Sequence, residues 1–140
     1  MRRAVLADTG PLYAAVDPSD QYHRRARAEL ERLESHATAV WIPYPILFET
    51  YTLILRRLGI PAVHRWLQEV LAGAAMINPS SRDYTDAARS LLDYSDQPLT
   101  LFDAVLAALS RRLAAPVWTY DHHLKILGAP IWQRDAPRPH

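Results

Sequence analysis

Val5-Leu6-Ala7-Asp8-Thr9-Gly10-Pro11 is the stretch on which the fold turns. A short apolar run closed by a carboxylate, a hydroxyl and a glycine predicts a buried strand ending in a turn. Pro11 can then occupy the first turn of a short helix running to Val16. The same alternation continues along the chain. Residues 21–36 predict a helix with Ala26, Leu30 and Leu33 on one face, and residues 38–42, apolar and β-branched, predict a second strand. Pro43 and Pro45 mark the start of a helix over about 46–58 that Gly59 stops.

Pro61 opens a helix to about residue 71, with Val63, Leu67, Val70 and Leu71 as its inward stripe. Residues 75–77 predict a short strand. Ser80 or Ser81 then caps a helix carrying Tyr84, Ala87, Ala88, Leu91 and Leu92 at helical spacing. After a loop at 96–100, residues 101–114 form a strongly apolar helix, and 116–119 a strand closed by Asp121. A helical turn follows to Gly128, with Ile131 and Trp132 as a last edge strand. Helices alternating with short apolar strands predict an α/β fold with a central, mostly parallel sheet of four to five strands, covered on both faces. Residues 1–140 read as one domain, with 134–140 as a fraying tail.

Composition narrows the partners only slightly. The 140 residues carry a formal net charge of +1 and no cysteine, which excludes disulfides and thiolate zinc sites. Lys125 is the sole lysine among 16 basic residues, and arginines pair at 2–3, 24–25, 56–57 and 111–112. Arginine suits bidentate phosphate contact; at the helix ends, 56–57 and 111–112, it also suits the dipole. Asp8 and Pro11 interrupt the apolar run that a signal peptide needs, and no stretch reaches the roughly 20 residues that span a bilayer. The expectation is a cytoplasmic protein with no membrane partner.

Most of the acids need no special account. Glu29, Glu31, Glu34, Glu69, Asp83 and Asp86 read as solvated helix positions beside arginines, while Asp17 and Asp20 suit turns and caps. Four others do not fit. Asp8 and Asp121 end apolar strands, Glu49 lies within Ile46-Leu47-Phe48-Glu49-Thr50-Tyr51, and Asp103 within Leu101-Phe102-Asp103-Ala104. A lone carboxylate in such surroundings costs several kcal/mol in desolvation unless something pairs with it. In open parallel sheets the crevice lies at the carboxyl ends of the strands, where these four acids can meet. All-oxygen donors select Mg²⁺ or Mn²⁺ over zinc, and a carboxylate-held Mg²⁺ suits phosphodiester hydrolysis. Singly, each acid has an ordinary alternative: a turn former, a helix N-terminal charge, an exposed helix residue, a cap.

The order Asp8-Thr9, Phe48-Glu49-Thr50, Leu101-Phe102-Asp103-Ala104 and Thr119-Tyr120-Asp121 resembles the acidic quartet of PIN-domain nucleases. Asp8-Thr9-Gly10-Pro11-Leu12 and Leu99-Thr100-Leu101-Phe102-Asp103-Ala104 are similar to segments of VapC toxins. The resemblance implies a three-layer α/β/α domain, a Mg²⁺- or Mn²⁺-dependent endoribonuclease, a homodimer, and inhibition by a cognate antitoxin. By position it makes Asp8 and Asp103 metal ligands, with Glu49 and Asp121 completing the pocket. Thr9 and Thr119 match supporting hydroxyls, and Asp96 a loop acid outside the ligand set. Phe102 is bulkier than the residue expected beside the third acid.

Rival readings carry less. A catalytically inactive PIN-like domain would keep the acids and act by binding protein or RNA. A phosphoacceptor receiver needs paired acids at the first strand and a late-strand lysine, whereas Lys125 follows Asp121 in a turn. A dehalogenase-type phosphatase needs an acid two positions after Asp8, where Gly10 stands. His122 and His123, adjacent on a turn and expected to point apart, read first as solvated, with RNA contact as the alternative.

Overall fold

A computed structural model describes residues 3–133; the expected fraying of 134–140 lies outside them. The strands β1 (Ala4–Ala7), β2 (Ala39–Pro43), β3 (Ala75–Ile77) and β4 (Val117–Trp118) form one sheet in the order β3-β2-β1-β4, every pair parallel. Leu6 sets the register, opposite Trp41 on one side and Val117 on the other. Because β2 and β4 flank β1, the chain leaves the middle of the sheet in opposite directions. That is the topology at which a crevice opens beyond the strand ends.

Helices flank the sheet, giving the α/β/α fold that the pattern predicts: α1 (Thr9–Val16), α2 (His23–Ser35), α3 (Tyr44–Leu58), α4 (Ile60–Gly73), α5 (Ser81–Leu91), α6 (Leu101–Leu113) and the single turn α7 (His123–Ile126). Val5, Leu6 and Ala7 are buried, and α6 is buried continuously from Asp103 to Ser110. Its apolar residues occupy every face, so it packs as a core helix and not as an amphipathic one. α3 begins at Tyr44, two residues before the expected start, because Pro45 fits the first turn. Gly59 at φ +92° ends α3 and starts α4, a backbone conformation open to glycine.

Three expectations need correction. The last strand, expected over 116–119, keeps only two residues, and Ile131 makes a single bridge to Val117 in place of an edge strand. Leu71 and Leu92 are exposed: α4 buries Val63, Trp66 and Val70, and Leu92 falls at the cap of α5. Asp83 and Glu29 are buried, not solvated.

Asp83 closes a capping box with Ser80 and accepts from Arg112 Nε at 2.8 Å and Nη2 at 2.7 Å, which ties α5 to α6. The Arg112 guanidinium is the chief reason its carboxyl titrates low, at about 2. A lowered pKa stabilises the fold above the ordinary carboxylate range, and that contribution is lost as pH falls from about 4 through 2. Arg112 is half-exposed, so the pair is worth less than a fully buried one. Asp83→Asn should therefore cost about 1–2 kcal/mol in urea unfolding at pH 7. The deficit should narrow at pH 3; an equal deficit at both pH values would exclude the ion pair as its source.

Candidate active site

The sheet geometry delivers Asp8 first. Its backbone N–H donates to the Trp118 carbonyl at 3.0 Å, extending the β1–β4 pairing by one residue. Its side chain then caps α1, with Oδ1 accepting from the Thr9 N–H at 2.8 Å. Oδ2 accepts from Thr119 Oγ1 at 2.7 Å, and that same hydroxyl oxygen accepts from the Asp121 N–H at 3.0 Å. One threonine just past β4 thus joins the acid that follows β1 to the backbone of the acid that follows β4.

Thr9 plays the matching part on the other side. Its hydroxyl donates to Glu49 Oε2 at 3.0 Å and accepts from Thr50 Oγ1 at 3.1 Å. Glu49 is half-buried on α3, next to the stripe Ile46, Leu47, Thr50 and Ile54 that faces the core. Thr50 was not singled out from the sequence, though a hydroxyl recurring on an apolar helical stripe is a legible signal.

Asp103 is buried in the first turn of α6, where it closes a second capping box: its N–H donates to Thr100 Oγ1 at 3.1 Å and its Oδ2 accepts from the Thr100 N–H at 3.3 Å. The box fixes the carboxylate at the helix start. The charges of Glu49 and Asp103 both act on Asp8, and Asp103 acts on Glu49, so these three acids share one region. Burial is the main reason the Asp8 carboxyl rises to about 6; its neighbours Asp103 and Glu49 add to the rise, against the hydrogen bonds from Thr119 and Thr9. Glu49 is likewise pushed up, first by burial and then by Asp103.

Asp121 completes the set through the turn after β4. Its Oδ1 accepts from the His123 N–H at 2.9 Å. The His123 ring turns inward, with Nδ1 3.4 Å from Asp121 Oδ1 and 3.6 Å from Asp103 Oδ2. The expectation that His122 and His123 point apart is wrong: the rings lie 4.5 Å apart between centroids, and only His122 is exposed. The turn between β4 and α7 folds both rings to one side, which adjacency in the sequence does not reveal. Asp96 is exposed on the loop between α5 and α6, and no hydrogen bond or ion pair among the described residues joins it to the four acids.

No arginine or lysine forms an ion pair with Asp8, Glu49, Asp103 or Asp121 among the described residues. Gathered carboxylates, two of which, Asp8 and Glu49, are pushed up by burial and a neighbouring acid, are a donor set suited to a hard divalent ion. An open cleft of about 950 Å³ runs past Glu49, lined by Tyr44, Phe48, Arg56, Tyr84 and Phe102 among others. Phe48 and Phe102, each the residue just before an acid of the set, are exposed.

Comparison with known proteins follows the same line. Residues 5–129 match the family model described as PIN domain. Comparison with curated protein sequences gives no match. Among solved structures, the chain is similar in fold to the toxin VapC20 of Mycobacterium tuberculosis, described as cleaving the sarcin-ricin loop, with TM-score 0.77 and 21% identity over 89% of this chain and 95% of that one. It is also similar to VapBC2 of Rickettsia felis, bound to a DNA fragment from its promoter (TM-score 0.70, 15% identity, 91% and 96% covered). A third likeness is to FitAcB of Neisseria gonorrhoeae (TM-score 0.66, 14% identity, 93% and 97% covered). With the family model matched over nearly the whole described chain, this protein belongs to the PIN domain family.

Proposed function

We propose that this chain is a Mg²⁺- or Mn²⁺-dependent endoribonuclease and the toxin of a VapBC-type toxin–antitoxin pair. The observation that carries the reading is the gathering of Asp8, Glu49 and Asp103 at the crevice of the sheet with no arginine or lysine paired to them among the described residues. Asp8, Glu49, Asp103 and Asp121 would hold the cation, which supplies an activated water and charge stabilisation at the phosphate. Thr9 and Thr119 hold the carboxylates of Glu49 and Asp8 in fixed orientations, so the ligands are set before an ion arrives. Arg56, lining the cleft beside Glu49, offers a cation to the RNA backbone. The toxin assignment is supported by the fold shared with VapC20, and an antitoxin partner by the fold shared with VapBC2 and FitAcB. The proposal includes a homodimer, which the sequence resemblance to VapC toxins implies.

The test is incubation of total RNA with the purified chain, with Mg²⁺ and separately with EDTA. Discrete fragments ending in 5′-phosphate in Mg²⁺ alone are the expected outcome, and sequencing their ends names the substrate. Intact RNA under both conditions, with the protein folded and free of partner, would transfer the assignment to a PIN-like binding module.

A further inference from the structure

We infer that Asp103, Asp121 and His123 form a second cation position with one nitrogen donor, sharing Asp103 with the position held by Asp8 and Glu49, and suited to Mn²⁺ or a similar first-row ion in preference to Mg²⁺. The inference rests on the metal-dependent reading above and adds to it a ligand that the four acids do not include. His123 Nδ1 stands 3.4 Å from Asp121 Oδ1 and 3.6 Å from Asp103 Oδ2. Both distances exceed an ordinary N–H···O hydrogen bond. They match the spacing of donors around one ion: ligands each ~2.1 Å from a common centre lie about 3.4 Å apart at a tetrahedral angle and about 3.0 Å apart at a right angle.

The ring is placed, not merely near. Asp121 Oδ1 accepts the His123 backbone N–H at 2.9 Å, which fixes the turn carrying the imidazole. Its side chain is 23% exposed, that of Asp103 8% and that of Asp121 38%, so two donors face inward and the third stands at the rim, open to an entering ion. The ligand atoms of Asp121, His122 and His123 all lie within 4.8 Å of one another. His122 is set aside as a ligand because its side chain is 77% exposed and its Nδ1 comes within 3.9 Å of Asp121 alone. Replacing one hard oxygen by an imidazole nitrogen shifts preference from Mg²⁺ towards transition ions, in the order of increasing affinity for nitrogen ligands.

The alternative is a protonated His123 acting only as a counter-ion to the two carboxylates. Pulsed electron paramagnetic resonance of the full chain loaded with Mn²⁺ separates the two. Expected are modulation from a directly bound ¹⁴N, its replacement by a ¹⁵N signal in protein grown with ¹⁵N-histidine, its loss in His123→Asn and its retention in His122→Ala. Calorimetry should show two Mn²⁺ per chain, the second weakened about tenfold or more in His123→Asn. Mn²⁺ bound without nitrogen modulation in the wild-type protein overturns the inference and leaves the acid-held nuclease intact. Absence of Mn²⁺ and Mg²⁺ binding altogether removes both.

Discussion

Asp8→Asn is expected to lower RNA cleavage about a thousandfold and, at the same time, to raise the melting temperature of the metal-free protein at pH 7.5. The loss of activity corresponds to about 4 kcal/mol of transition-state stabilisation, the scale at which a bound cation acts. The gain in stability follows from the raised pKa. Burial, with Asp103 and Glu49 nearby, moves the Asp8 carboxyl from 3.8 to about 6. A raised carboxyl pKa means the fold favours the neutral form, so its contribution is intact below about 4, declines between about 4 and 6, and is gone above 6. At neutral pH the charged form therefore costs about 3 kcal/mol. Asparagine is neutral throughout and keeps the Oδ1 acceptor for the Thr9 N–H, although it loses part of the Thr119 bond. A net gain of ~1 kcal/mol, about 3 °C, is expected in EDTA at pH 7.5, and almost none at pH 4. Melting curves at the two pH values, with and without EDTA, give the answer. Full cleavage by the variant would sink the role of Asp8; a lower melting temperature than wild type in EDTA at pH 7.5 would sink the electrostatic account.

Asp103→Asn should match the loss of cleavage without the gain in stability. Asp103 sits where the dipole of α6 and the Thr100 capping box favour a negative charge, so removing that charge gives up what the helix start supplies. A carboxylate used in two ways resists a simple trade of function for stability.

The sequence carried the central strand and the long buried helix because their signals are local. Three apolar residues followed by Asp8-Thr9-Gly10 fit little but a buried strand and its turn, and the unbroken apolar character of 104–109 fits little but a core helix. The four acids were legible for the same reason: each lies among apolar neighbours within one helical turn or strand. Asp83 and Glu29 were not legible. Each sits in a run of charged residues that suggests a solvated face, and each is buried by partners far along the chain: Arg112 for Asp83, Trp118 and Tyr120 for Glu29. His123 was hidden by a different effect, the direction of one turn, which period and composition do not encode. Polar groups satisfied across long separations are where pattern reading fails, because burial depends on a partner the local pattern does not contain.

Glu29→Ala should accordingly be the most damaging substitution outside the acid set, costing about 2–3 kcal/mol and lowering the melting temperature by about 8 °C. Glu29 is 5% exposed on α2 and accepts from the Trp118 indole N–H at 3.2 Å and from the Tyr120 hydroxyl. Arg25, one turn earlier on the same helix, approaches its other oxygen at 3.5 Å and lies 4.3 Å over the Tyr120 ring. Burial and the adjacent carboxylate hold the Tyr120 hydroxyl protonated well beyond its usual range. Alanine would leave one buried donor, the Trp118 indole, and one half-buried donor, the Tyr120 hydroxyl, without an acceptor, and that orphaning sets the scale of the loss. Glutamine keeps one acceptor oxygen for Trp118 and Tyr120 and forfeits the charge and the Oε2 contact with Arg25, so Glu29→Gln should lose about 1 kcal/mol. The effect should reach the acid set, because Tyr120 stands between Thr119, which holds Asp8, and Asp121. Below its melting range, Glu29→Ala should bind Mn²⁺ several-fold more weakly than wild type, within the about 10- to 100-fold reach of groups that orient ligands. Calorimetry and thermal melts on the two variants decide it. An alanine variant that melts with the wild type would show that the buried contacts of Glu29 hold nothing in place. One that melts low but binds Mn²⁺ unchanged would confine Glu29 to the fold and detach it from the site.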